Sequence, residues 1–148
     1  MSKRELLLRK IKENNGIITT KEALNLGIHK DILKELTIKE ELEKIDGLEI
    51  LPFRDGIRPN HWFYSLKIDK EKYGIGRDEL LKKLVDSDIQ TRPIWGLIHQ
   101  QKPYTSYQSY EMEKSLYYYD RVLNLPCSSN LTEKEVYQVI EKIRELKK

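Results

Sequence analysis

The segment TRPIWGLIHQQKPY, residues 91 to 104, gathers three side chains able to hold a polar ligand: Arg92, Trp95 and His99. Arg92 carries a planar fork of donors that matches a carboxylate or a phosphate. Trp95 offers a flat ring for stacking, and His99 has two ring nitrogens that donate or accept. Pro93, Gly96 and Pro103 break any regular element here, so the three residues read as the wall of a polar pocket. Each also has an ordinary reading: Arg92 as an internal ion pair, Trp95 as core, His99 as a turn cap.

Other chemistry is sparse. Cys127 is the single cysteine, which excludes an internal disulfide and fits a reducing compartment. No histidine stands in a recognisable relation to it, so it reads as a small buried residue and not a nucleophile. The three histidines and one cysteine have no metal-ligand spacing. The net charge of +3 is too small to indicate a nucleic-acid partner by itself. The opening MSKRELLLRK returns to charge after three leucines and does not read as a signal peptide. No apolar run nears the ~20 residues that span a bilayer, and a cytoplasmic protein is expected.

The elements that must position these residues fall into two halves. Residues 1 to 46 hold no Pro, Trp, Tyr or Phe, whereas all nine tyrosines and all five prolines lie beyond them. The first half reads as three short helices. Leu6, Leu7 and Ile11 form a stripe on the first, Thr19 and Glu22 a capping box on the second, and Ile32, Leu33 and Leu36 an inward face on the third. With Gly27 between the second and third, the pattern is helix-turn-helix. From residue 47 the order reads strand, strand, helix, strand, loop, helix, loop, helix. LEILPF and HWFYSLKI have strand character, with Trp62 and Phe63 expected in the core. RDELLKKLVDSD is amphipathic, IQTRPI is a short extended piece, and SYEMEKSLYYYDRVLNL is predicted helical from Met112, Leu116, Tyr119 and Leu123. At least one ring of Tyr117 to Tyr119 must face a partner or solvent. The last helix opens on a Thr132–Glu135 capping box and carries Val136, Val139, Ile140 and Ile143. The expected class is α+β: a three-helix N-terminal unit at 1–46, then a small antiparallel sheet packed with helices at 47–148.

The segment NNGIITTKEALNLGIHKDILKELTIKEELEKID resembles the winged-helix N-terminal domain of AbiEi-type antitoxins. That resemblance implies a third helix entering the DNA major groove with His29, Lys30 and Lys34 outward. Where the family continues into a wing hairpin, this chain turns to GLEILPF, and Asp31 and Glu35 stand among the basic residues.

Three further segments, IRPNHWFYSLKID, GRDELLKKLVDSDIQTRPIWGLIHQQKPY and YYYDRVLNLPCSSNLTEKEVYQVIEKI, resemble in order the C-terminal small domain of the DegT/DnrJ/StrS pyridoxal-phosphate-dependent nucleotide-sugar aminotransferases. The resemblance implies a domain that closes over a cofactor-bearing large domain. Asn60, His61, Arg92, Trp95 and His99 would then face the sugar nucleotide or the amino donor. That family's cofactor lysine sits in a Ser- and Gly-rich segment of the large domain, which has no counterpart here. No cofactor is therefore expected to bind this chain alone. The leading expectation is a truncated small domain fused to a helix-turn-helix and not catalytic by itself. A DNA-binding regulator and one half of a split aminotransferase are the alternatives. A separated small domain would expose an apolar face, so the N-terminal helices are expected to cover it, or a homodimer or a separate large domain to do so.

Overall fold

Tyr64, Leu66 and Ile68 alternate with Ser65 and Lys67, and this period of two makes β2 (Tyr64–Ile68) with one face buried and the other half-open. In the computed structural model, which describes residues 3–14, 18–54, 57, 60, 62–128 and 130–148, β2 pairs antiparallel with β1 (Leu48–Ile50). On its other side it pairs antiparallel with β4 (Val122–Leu125), which pairs in turn with the two-residue edge strand β3 (Arg92–Pro93). The order across the sheet is β1-β2-β4-β3. Helices α1 (Lys3–Glu13), α2 (Thr20–Asn25) and α3 (Lys30–Glu43) precede the sheet; α4 (Lys70–Tyr73), α5 (Arg77–Val85), α6 (Glu113–Tyr119) and α7 (Glu133–Glu145) complete it. The α+β class expected from the sequence is the one found.

The main core joins Leu66, Ile68, Leu123 and Leu125 of the sheet to Ile38 and Leu42 of α3, Leu80 and Leu84 of α5, and Val136, Ile140 and Ile143 of α7. Full burial of one such side chain contributes about 1.5–3 kcal/mol. α7 begins where Thr132 accepts from the Glu135 amide while Glu135 accepts from the Thr132 amide at 2.6 Å, the reciprocal capping box expected there. Its far end is tied down by Tyr73, whose buried hydroxyl donates to the Ile143 carbonyl at 2.5 Å. Burial pushes the Tyr73 phenol far above its ordinary pKa, so this donor keeps its proton. Gly47 turns the chain from α3 into β1 at φ +87°, where a Cβ would come within 2.5 Å of the Tyr73 amide nitrogen. Only glycine fits both demands.

A second, smaller cluster lies at the N-terminal end. Leu7, Ala23 and Ile28 are buried there, with Ile11, Ile18, Leu26, Ile32, Leu33 and Leu36 packed around them. The Thr19–Glu22 capping box is present. α2 ends in a Schellman turn: Ile28 N donates to Ala23 O at 3.0 Å and Gly27 N to Leu24 O at 2.9 Å, with Gly27 at φ +68°. α3 belongs to both clusters, so it links the two halves as a single rod.

Two expectations fail, and one element was unforeseen. The helix predicted through Leu123 stops at Tyr119, and Val122–Leu125 becomes the strand between β2 and β3. All four of its residues are buried. The apparent helical spacing of Leu116, Tyr119 and Leu123 crosses that change of element. Trp62, expected in the core, is 64% exposed. It precedes β2, beyond the last residue paired to β4. α4 was not anticipated; its four residues are held by Asp69 at the start and Gly74 at φ +97° at the end.

Candidate functional site

The sheet's outer face and the loop after β3 carry the candidate residues. Strand pairing sets Ser65, Asn124 and Arg92 in one row across β2, β4 and β3. Ser65 Oγ donates to Asn124 Oδ1 at 2.9 Å, and Asn124 is buried while Arg92 is exposed. Among the described residues Arg92 makes no ion pair, so its donor fork is free. The internal ion pair weighed for it is not formed. Asn124 and Ser65 escaped the sequence reading because residues 122–125 were taken as helix. The alternation of Ser65 with apolar neighbours was the usable signal.

Past β3, Trp95 is 69% exposed and meets the edge of Phe63 at 5.2 Å between centroids. Phe63 stacks on Trp62 at 5.0 Å, giving three aromatic rings in contact at one surface. Asn60 Oδ1 accepts from the Trp62 amide at 3.1 Å and so fixes the approach to that cluster. Cys127 S–H donates to the Trp62 carbonyl oxygen. Burial pushes the Cys127 thiol above its ordinary pKa, which opposes any role as a thiolate nucleophile. Trp95 and Asn60 are therefore brought to one cluster. His61 lies outside the described residues.

His99 sits in a 3-10 turn, Ile98–Gln100, with its Nδ1 buried and lacking a hydrogen-bond partner. The loop is held locally: Gln101 Nε2 donates to Gly96 O at 3.1 Å, and Tyr104 N to Gln101 O at 2.8 Å. Tyr107 and Tyr110 beyond it are exposed, as are Tyr117 and Tyr118 of α6. Tyr119 instead packs under the Arg77 guanidinium, 5.2 Å from the ring centroid. The surface offers stacking rings, an amide, a hydroxyl and a free guanidinium. It can bind and orient a polar ligand. Among the described residues no group of three or more His, Cys, Asp or Glu is placed to hold a metal ion.

The residues expected to meet DNA are arranged differently. His29 is exposed, and the Lys30 side chain lies outside the described residues. Lys34, expected outward, is half-buried and donates from Nζ to the Ser128 carbonyl at 3.4 Å. It also lies close enough to Glu135 to help hold that carboxylate below its ordinary range, after the larger effect of the Thr132 hydrogen bonds. Glu35 beside it is buried, and Glu41 one turn and a half on is ion-paired to Arg144 of α7 at 3.0 Å. Lys34, one of the three residues expected on that face, is thus turned toward the C-terminal half. Helical periodicity could locate that face but not what packs against it.

The family model described as DegT/DnrJ/EryC1/StrS aminotransferase matches residues 27–144, and the chain belongs to that family. EpsN of Bacillus subtilis, whose name is that of a pyridoxal phosphate-dependent aminotransferase, is 29% identical over 107 residues, covering 70% of this chain and 27% of EpsN. Among solved structures, DesI in the presence of its TDP-sugar product superimposes with a TM-score of 0.72 at 21% identity, over 78% of this chain and 30% of DesI. The aminotransferase TlmJ from Streptoalloteichus hindustanus gives a TM-score of 0.68 at 20% identity, over 78% and 30% of the two chains. The chain spans less than a third of the length of each of these relatives. The match begins at residue 27, so α3 lies within the family region, while α1 and α2 precede it.

Pyridoxal phosphate needs a lysine that reaches it in a sheltered pocket. Among the lysines whose side chains are described, none is placed so. Lys10, Lys39, Lys67, Lys83 and Lys142, the half-buried ones beside Lys34, are each paired to a glutamate, and the others are exposed. The described lysines do not fit the cofactor's covalent site.

Among the described residues no helix is long and apolar enough to cross a membrane.

Proposed function

We propose that this chain supplies one wall of the substrate cleft of a nucleotide-sugar aminotransferase, and that turnover requires a cofactor-bearing domain in addition to the described residues. One observation carries this reading: the family match over residues 27–144 coincides with an open surface of rings and free donors at Trp62, Phe63, Trp95 and Arg92. Arg92 takes the carboxylate of the amino donor or a phosphate of the sugar nucleotide, for which its fork is suited. Trp95 stacks on a ring of the substrate, while Asn60, His61 and His99 supply hydrogen bonds. The buried, unpartnered Nδ1 of His99 is consistent with a partner that arrives on assembly.

The partner is a pyridoxal-phosphate-binding large domain, met in trans or through a homodimer of the assembled protein. The chain is not catalytic alone, because its described lysines are exposed or already paired. The test is to mix the purified chain with pyridoxal phosphate, glutamate and a nucleotide keto-sugar, with and without a co-expressed large domain of this family. Transamination is expected only in the combined sample, and Arg92→Ala there should raise KM for one substrate by about tenfold or more, the scale of a lost charge-assisted contact. Borohydride reduction that leaves a pyridoxyl group on a lysine of this chain alone would overturn the reading.

A DNA-binding role is the second reading, supported by the α2–Gly27–α3 corner with its Schellman turn. It is the weaker of the two, since Lys34 is engaged with Ser128. Salt-dependent DNA binding that weakens in the Lys30→Ala/Lys34→Ala double variant would restore it.

A further inference from the structure

Ser65 on β2, Asn124 on β4 and Arg92 on β3 are direct cross-strand partners, so their side chains share one face. Such partners hold their Cβ atoms about 4.5–5.5 Å apart. Asn124, at 5% exposure, is the deepest of the three. Its Oδ1 accepts from Ser65 Oγ at 2.9 Å. An amide is planar, so a carbonyl held toward β2 turns the amide nitrogen away from β2, to the side where Arg92 stands. Among the described residues Nδ2 of Asn124 donates to nothing, yet it is not sealed from solvent. Side chains this deeply buried use their polar atoms as a rule. Here an idle amide and an idle guanidinium adjoin with no acceptor between them. The next residues along this face are Lys67 and Val122. Glu49, the one carboxylate in the described strands, is ion-paired to Lys67. The strands therefore bring no unpaired negative charge to repel an anion.

We propose that Asn124 and Arg92 form a seat for an oxyanion, a carboxylate or a phosphate, with Ser65 as the positioning residue that keeps the amide nitrogen outward. The source of that oxyanion rests on the cleft-wall reading above: the amino donor brings carboxylates, and the nucleotide sugar brings phosphates. Arg92 supplies the charge and a planar fork. Asn124 adds a neutral donor from a fixed strand, so the pair selects for acceptors with direction. An oxyanion has them, and chloride does not.

The experiment titrates the nitrogen-15-labelled chain with inorganic phosphate, with glutamate and with chloride at matched ionic strength. The Asn124 side-chain amide and the Arg92 Nε resonances should shift saturably with phosphate or glutamate, and the tighter of the two identifies the source. Chloride should move them without saturation. Asn124→Asp replaces the donor by a carboxylate oxygen and should weaken oxyanion binding at least about tenfold. Ser65→Ala should weaken it about threefold, and Ser65→Thr, which keeps the hydroxyl, should restore it. A Ser65 that serves the fold alone would change stability and leave anion affinity where it was. Equal affinity in Ser65→Ala would overturn the proposal, as would an Asn124 amide that ignores both oxyanions in the unmodified chain. The second readout needs no variant, so it decides even where Asn124→Asp does not fold. Transamination in the combined sample with every KM unchanged by Ser65→Ala would sink the seat alone. Saturable oxyanion binding without transamination in the combined sample would sink the cleft reading alone.

Discussion

The two faces of the sheet make opposite use of their side chains. On one, Tyr64, Leu66, Ile68, Leu123 and Leu125 disappear into the main core under α3, α5 and α7. On the other, Ser65 and Asn124 bond to one another beneath a free Arg92, and the rings of Trp62, before β2, and Trp95, after β3, remain open to solvent. Large aromatic side chains left outside a core add little to folding and are costly in solubility. Their presence beside Arg92, which makes no ion pair among the described residues, supports the binding role proposed for this surface. The first face holds the fold, and the second is free to bind.

Substitutions should separate these roles. Leu66→Ala and Ile140→Ala, both in the main core, should each destabilise the whole chain by about 2–5 kcal/mol in urea denaturation. A loss confined to one element would break the picture of one shared core. Leu7→Ala should fall near the low end of that range, about 2 kcal/mol, because the small cluster can relax into the gap. Its loss of amide protection should be restricted to the N-terminal helices. Gly47→Ala should cost about 1–3 kcal/mol, since the residue must keep a positive φ against Tyr73.

Thr132→Ala should cost about 1 kcal/mol by removing the cap of α7. The same cap predicts an acid response. Hydrogen bonds from the Thr132 amide and hydroxyl hold the Glu135 carboxylate below its ordinary value of 4.5. A carboxylate whose folded pKa is depressed contributes stability above its unfolded pKa and loses it as pH falls through the folded value. Protection of the amides at the start of α7, measured relative to their intrinsic exchange at each pH, should therefore fall as pH drops below about 4.5, and less so in Thr132→Ala. The Glu22 carboxylate, held low by Thr19, should make α2 respond in the same direction. Smallest of all should be Trp95→Ala, within about 0.5 kcal/mol in denaturation. If the outer face is for binding, that neutral change should nonetheless impair transamination in the assembled enzyme.

Much of the local architecture was legible from residues three or four apart. Both capping boxes, the stripes of α1, α3 and α7, and the Gly27 turn follow from side chains and amides that meet within one element. The candidates Arg92, Trp95 and His99 were picked out by residue type alone, and the three family segments were recognisable as strings. What stayed hidden depends on partners far away in the chain. Val122–Leu125 is a strand because β2 and β3 offer it edges, and four apolar or small polar residues do not announce that by themselves. Asn124 joins Ser65 and Arg92 only after pairing sets the register.

The sequence by itself determined the capped starts of α2 and α7, the stripes of α1 and α3, and the family to which residues 27–144 belong. These depend on interactions within a turn or two of chain, or on the order of residues alone. Only the tertiary structure decided that Lys34 turns to Ser128, that Trp62 stays outside the core, and that α3 serves two clusters at once. Burial is a relation between surfaces distant in the chain, and it exists only once those surfaces have met.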